Sequence, residues 1–434
     1  MNDAPVSVPA WSPILEGEAA VQATAAIDAV AAAIASENPL PLRNTGSGLG
    51  TGGAGIALLF EYLDRARPGA GYGEIAQQRL ERAIDDLASS RQVPSLFGGF
   101  TGISWAVEHL LAAEEDGDAG EEDLNADIDA ALLDHLRTTP WVLDYDLIGG
   151  LVGYGVYALE RLPRPSAAAC LELVVERLAE TALPRPGGLA WYTPFEQLPK
   201  ANQPWFPQGV DNLGVAHGTP GVIALLARIC ASGVAAERAR PLLMDSVSWL
   251  LAQKLPPGEV SVFPYAVGPE VRLRPARTAW CYGDPGIAMA LLFAGRAAGE
   301  PAWEREALDL ARTVARRPPE NCRVEDAGLC HGAAGLGHLL NRFYQATGDP
   351  ELLAAARAWL GRALGFREPG RGIGGFLAFS TPDFDETFDV LQWNEDASFL
   401  AGSSGVALAL LAATTPVEPA WDRALLLSPL PDRG

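Results

Sequence analysis

The sequence predicts an all-α protein built from seven helix pairs. Three observations carry that expectation. Ala, Leu and Gly lead the composition, with little Val–Thr–Tyr alternation. A Gly-x-x-Gly pattern recurs seven times, and an amphipathic segment precedes each recurrence.

The copies open at Gly52, Gly99, Gly150, Gly218, Gly283, Gly332 and Gly402. In each, a second glycine follows three residues on and an apolar run begins. Close approach of backbone at a helix start selects glycine. The runs are apolar nearly all round, as buried helices should be. The intervening segments start near Glu16, Glu74, Glu122, Cys170, Arg238, Pro301 and Pro350. Their apolar residues recur at three and four positions with polar residues opposite. Pro301 and Pro350 stand where helices can begin.

Each pair therefore reads as an outer amphipathic helix, a turn, and an inner buried helix. A linear solenoid and a closed double ring both satisfy this pattern. Seven inner helices ~9 Å apart would lie on a circle of radius roughly 10 Å, leaving a central space a few ångströms across. Residues 184–214 and 256–279 break the regularity. They are rich in Pro, Gly and aromatics and read as inserted loops forming walls or lids at the mouth. The whole chain, 1–434, is expected to form one unit.

The net charge is −22, from 32 basic and 54 acidic residues. No basic stripe exists to neutralise phosphates, which argues against nucleic acid and an anionic membrane surface. Attraction of a basic peptide is the weak functional reading of that charge. The first basic residue is Arg43, so a secretory signal is not expected. No window of ~18 apolar residues stands out as an integral membrane segment. The expected location is the cytoplasm. Of five cysteines, Cys170 and Cys230 fall in apolar helical contexts as small core residues, and Cys322 reads as a free thiol or a packing residue. An odd number argues against a disulfide framework.

Aligning the copies on their first glycine brings chemistry together. His217 precedes Gly218 by one residue, and Cys281 precedes Gly283 by two. Cys330 and His331 precede Gly332 by two and one, and Asp146 precedes Gly150 by four. Equivalent positions of a repeat meet at one end of the array. Two thiolates and an imidazole suit zinc. Cys281, Cys330 and His331 leave a fourth position open for catalysis, whereas His217 as a fourth ligand would close it. His109 and His135 lie in helical segments without evident partners and read as structural. His338 reads as core or as support for the site.

The strings LGVAHGTPG (213–221), AWCYGDPGIA (279–288) and LCHGAAG (329–335), with the sevenfold glycine pattern, resemble those of lanthionine synthetase C-like proteins. The resemblance implies an α/α toroid, a double ring of seven inner and seven outer helices. It implies one zinc held by Cys281, Cys330 and His331. It places His217, Asp146, Arg277 and Tyr282 at active-site positions. Gly149 departs from the family, whose third repeat often carries a polar residue there.

The resemblance also implies the reaction. A peptide cysteine thiol adds to the β-carbon of a dehydrated serine or threonine, forming a thioether ring. A thiol of pKa ~8.5 is only a few per cent thiolate at neutral pH, so metal activation is expected. His217 suits a proton shuttle, oriented by Asp146, and Arg277 suits an oxyanion partner. The expected substrate is a precursor peptide already dehydrated by a separate dehydratase. The alternatives are a glutathione- or thiol-binding regulatory protein and another zinc-thiolate transferase. A glycosidase would need a carboxylate pair instead.

Overall fold

The computed structural model describes residues 11–36, 46–89, 93–111, 123–198, 200, 202–380 and 391–428. The remaining residues of the expected 1–434 unit, with the ends of three outer segments (Glu37, Ser90 and Glu122), lie outside that description. Fourteen α-helices occur among the described residues. The odd-numbered ones form an outer layer: α1 (Gly17–Ala35), α3 (Tyr72–Ser89), α5 (Ala126–Leu136), α7 (Pro165–Thr181), α9 (Ala236–Leu251), α11 (Pro301–Arg316) and α13 (Pro350–Gly365). The even-numbered ones are inner: α2 (Gly53–Ala66), α4 (Phe100–Leu111), α6 (Leu151–Glu160), α8 (Thr219–Ser232), α10 (Asp284–Ala298), α12 (Ala333–Thr347) and α14 (Ser403–Thr414).

Each inner helix packs on the next, and α14 returns to α2, so the array is a closed α/α toroid rather than an open solenoid. Burial follows the two layers. In α10 every residue from Asp284 to Gly295 is buried, whereas α11 buries one stripe, Ala307, Leu310, Ala311 and Val314. The tight connections differ from the expected order. Short turns join an inner helix to the following outer one, as at Gly299–Glu300 and Gly348–Asp349. The long loops run from outer helices back to inner N-termini, so they all gather at one end of the ring. Gly299 and Gly348 have φ of +72° and +70°, left-handed conformations that favour glycine after a helix.

The glycine pattern has a single steric cause. A Cβ on Gly283 would lie 1.9 Å from the Arg277 carbonyl oxygen, and one on Gly286 2.3 Å from that of Trp280. The motif glycines other than Gly332, which meets Gly328 N and the Asp326 side chain, pack in this way against a carbonyl six residues upstream, and the loop folds down onto its own helix. Among the described residues these loops are then stitched together. Gly50 N donates to Phe97 O and Phe97 N to Ile148 O; Leu147 N donates to Ala216 O and Ala216 N to Cys281 O. Cys281 N continues to Cys330 O, Cys330 N to Leu400 O, and Leu400 N back to Gly50 O. This circle of backbone hydrogen bonds closes the mouth of the ring and fixes Cys281 beside Cys330.

The inserts carry short strands. Stretch 184–214 contains most of an antiparallel pair, β1 (Leu183–Arg185) and β2 (Gly188–Ala190). Its β3 (Tyr192–Thr193) pairs with its β4 (Val210–Asn212), and β4 pairs in turn with β5 (Ala266–Val267) of the second stretch. A third insert, not anticipated from the sequence, follows α13. It pairs β6 (Ala378–Ser380) with β7 (Gln392–Asn394), and Phe379 N donates to Asp326 Oδ2 at 2.9 Å. Its strands are too short for a period-two signal to emerge.

Three further expectations change. The interior of the ring is not an empty bore, because residues 420–428 cross it. Asp422 meets His338 and Arg342 of α12, the Ser428 carbonyl accepts from Arg228 of α8, and Trp280 Nε1 donates to Leu425 O. His109 does have partners: Tyr62 OH on one ring nitrogen at 2.9 Å and Glu160 on the other at 2.8 Å. His135 packs edge-on to Trp141 and Tyr154. Finally, α1 is long and apolar enough, by length and composition, to cross a membrane. Its many alanines lift the mean hydropathy without forming a conspicuous apolar run. In the structure it lies against α13 and α14 with Ala23, Ala26, Ile27, Val30, Ala31 and Ile34 buried. Cys170 and Cys230 are core residues, and the buried Cys322 donates to the Pro318 carbonyl.

Candidate metal centre and its cavity

The register of the repeat places the site. Cys281 and Cys330 are adjacent members of the backbone circle, and His331 follows the second. The donor atoms of Cys281, Cys330 and His331 all lie within 4.8 Å of one another. Among the described residues this group does not include His217, so its place as a fourth donor gains no geometric support. The thiols interact strongly. A hydrogen bond with Cys330 holds Cys281 well below the usual thiol range; burial opposes this, while His331 and Arg277 reinforce it. Cys330 is pushed the other way, by that hydrogen bond and by burial. Holding both sulfurs as thiolates side by side would need a cation. Burial lowers His331, but Cys281 more than offsets it. Two crowded thiols and an imidazole, short of one positive charge, fit a thiophilic metal such as zinc.

His217 stands one circle member away, after Ala216. Its side chain keeps 44% exposure, so a substrate can reach it. His217 Nδ1 donates to Asp146 Oδ2 at 2.5 Å. Burial lowers the imidazole, yet Asp146 outweighs burial and the group is raised overall, with Cys281 and Asp144 adding to the effect. Asp146 also accepts from Gly149 N through Oδ1 at 2.8 Å, so it caps the turn and orients the histidine together. Tyr282 stacks on Tyr265 with ring centroids 4.2 Å apart, and Asn212 Nδ2 donates to its hydroxyl at 2.9 Å. Burial and Tyr265 raise Tyr282 well above the usual phenol range. Arg277 forms no ion pair among the described residues, and its charge acts on both thiols and His331.

A cavity of about 320 Å³ opens at His217, lined by Asp144, Asp146, Gly149, His217, Tyr265 and Tyr282. Gly149 holds the register of His217, Tyr282 and His331. A Cβ there would make only ordinary van der Waals contacts, 3.8 Å from Asp144 Oδ2 and 4.0 Å from Asp146 Oδ1, so a methyl fits without a clash. Sequence reasoning missed Asp144, Asn212 and Asp326. All three stand six residues before a first glycine, as Arg277 does, and that shared register was the available signal. Burial and the neighbouring Asp146 raise Asp144. Asn212 and Asp326 cap their own turns by accepting from Gly214 N and Gly328 N.

All seven inner helices point their N-termini at this end, which favours anions there. A double helical ring with a Cys–Cys–His group at its mouth is the architecture of lanthionine synthetase C-like proteins. The chain belongs to that family: the family model described as lanthionine synthetase C-like protein matches residues 44–426. The chain is 25% identical over 315 residues to the nisin biosynthesis protein NisC of Lactococcus lactis subsp. lactis, covering 68% of this chain and 73% of that protein. It is 26% identical over 317 residues to glutathione S-transferase LANCL1 of Danio rerio, covering 70% and 72%. The solved structure of nisin cyclase shares the fold, with a TM-score of 0.70 at 21% identity over 88% of this chain and 93% of that one.

Proposed function

We propose that the protein is a zinc-dependent lanthipeptide cyclase acting in the cytoplasm on a peptide dehydrated by a separate enzyme. The observation that carries this reading is the pairing of two unlike groups at one mouth. Cys281, Cys330 and His331 form a thiophilic metal group. Beside them, a half-exposed histidine hydrogen-bonded to a carboxylate lines an open cavity. Zinc held by Cys281, Cys330 and His331 supplies a Lewis acid that favours thiolate over thiol. The sulfur lone pair forms the S–Cβ bond with dehydroalanine or dehydrobutyrine, and the alkene pair moves onto Cα and its carbonyl. Arg277 and the helix N-termini stabilise that enolate. His217, kept protonated by Asp146, delivers the proton to Cα. Substrate and product have equal mass, because the thiol's proton is replaced at Cα.

The relative named as a glutathione S-transferase supports the second reading, a thiol-capturing protein. The open cavity at Gly149 favours the peptide, whose dehydrated residue needs room beside His217. The test separates metal from chemistry. His217→Asn should keep zinc near the wild-type level while ring formation slows by roughly 10²–10⁴, as for a lost general acid. Loss of zinc would make His217 a ligand. Normal ring formation would move the proton-transfer role elsewhere.

A further inference from the structure

We propose that an arginine-lined groove beside the candidate site docks an acidic segment of the peptide substrate. The inference rests on the peptide-modifying reading and adds a substrate requirement to it. The groove is a separate cavity of about 540 Å³, and it shares Asn202, Phe206 and Tyr265 with the cavity at His217. Arg272, Arg274, Arg277 and Arg323 line it, against a single acid, Glu270. In a chain of net charge −22, four of 32 basic residues therefore converge on one surface.

None of the four arginines forms an ion pair among the described residues. Arg272, Arg274 and Arg323 are exposed. Arg272 and Arg274 stand two residues apart on one loop, and both line the groove. Arg323 arrives from the separate loop ahead of α12. The floor is aromatic: Trp205 is 57% exposed and lies beneath the Arg274 guanidinium at 4.3 Å, and Phe206 stacks on Tyr265. Tyr265 in turn stacks on Tyr282, the residue after Cys281, and lines the cavity at His217 as well, so the groove borders the candidate site.

The dimensions select the ligand. A free phosphate would fill a small part of a cavity within the ~300–1,000 Å³ range of organic-ligand sites. Arginines on two loops over an aromatic floor suit several residues of extended peptide, with carboxylates at the rim and side chains on the rings. The overall charge favours a basic peptide, and the local charge beside the site favours an acidic one. Local charge governs contact distances, because overall repulsion is screened beyond a Debye length of ~8 Å.

The test uses a labelled Asp-rich oligopeptide and its Asn-rich counterpart, both without cysteine or dehydrated residues, so no ring chemistry enters. Fluorescence anisotropy on the full chain should show tighter binding of the Asp-rich peptide, weakening with salt. In the triple variant R272Q/R274Q/R323Q, affinity for the Asp-rich peptide should fall roughly tenfold, as expected when several exposed charge pairs are lost. Binding of the Asn-rich peptide, zinc content and helical circular dichroism should not change. Equal binding of the two peptides, or unchanged affinity in the variant at low salt, overturns the proposal. Complete displacement by inorganic phosphate or glutathione at concentrations below those of unlabelled peptide also overturns it, making the groove a small-anion pocket. The two readings fail separately. Docking of the Asp-rich peptide without cyclisation of a dehydrated one removes the cyclase alone. Equal cyclisation by wild type and variant of a dehydrated peptide that carries the acidic segment removes the groove alone.

Discussion

Replacing Asp146 by Asn isolates the charge that sets His217. The pair lies 2.5 Å apart, Nδ1 to Oδ2, and Asp146 is the main group raising the imidazole against burial. Unit charges about 4 Å apart interact by about 1 kcal/mol in water and about 4 kcal/mol near a protein surface. His217 keeps 44% side-chain exposure, which places the pair in the lower part of that range. A loss of ~1–2 kcal/mol corresponds to about one pH unit. The sign is fixed. Asp146 stabilises imidazolium, so Asp146→Asn lowers the His217 pKa and the proton leaves at lower pH. The alkaline limb of the ring-formation profile should then move down by about one unit. Asn still accepts from Gly149 N, so the turn should hold. Histidine NMR titration measures the pKa, and initial rates across pH measure the limb. An unchanged His217 titration, or a limb that moves upward, would refute the reasoning.

Cys281→Ala and Cys330→Ala should each lose most bound zinc by metal analysis; full retention in both would remove the metal assignment. Chelation should leave most helical circular dichroism intact, because the ring's large core is independent of the metal; collapse of the helix signal would contradict this. Gly286→Ala should cost about 1–3 kcal/mol or more by urea unfolding, since the methyl meets the Trp280 carbonyl at 2.3 Å. Gly149→Ala should stay within about 0.5 kcal/mol, because its Cβ makes only ordinary contacts, the nearest at 3.8 Å.

The sequence carried the repeat unit and the thiol group because both depend on local register. Glycine at two fixed positions reports a carbonyl six residues upstream, and the same numbering aligns Cys281 with Cys330. Closure of the ring was not readable from periodicity. It depends on contacts such as Leu400 N to Gly50 O, which join distant loops and leave no periodic trace. The segment crossing the interior escaped for the same reason: Leu425 matters through Trp280, far away in sequence. The third insert has strands of three residues, below the length at which alternation is informative. His109 looked isolated because its partners Tyr62 and Glu160 come from neighbouring inner helices. The groove arginines spread over two loops, so their sum was hidden beneath the acidic total.

The most direct test of the cyclase reading follows mass and thiols together. Purified protein with zinc is incubated with a dehydrated, cysteine-containing peptide, alone and with glutathione present. Aliquots are alkylated and weighed by mass spectrometry. The account predicts that alkylatable thiols disappear while peptide mass stays constant, with fragmentation blocked across the new ring. Persistent free thiols at constant mass would contradict it. So would a gain of one glutathione mass per dehydrated residue, which would assign the site to intermolecular thiol transfer.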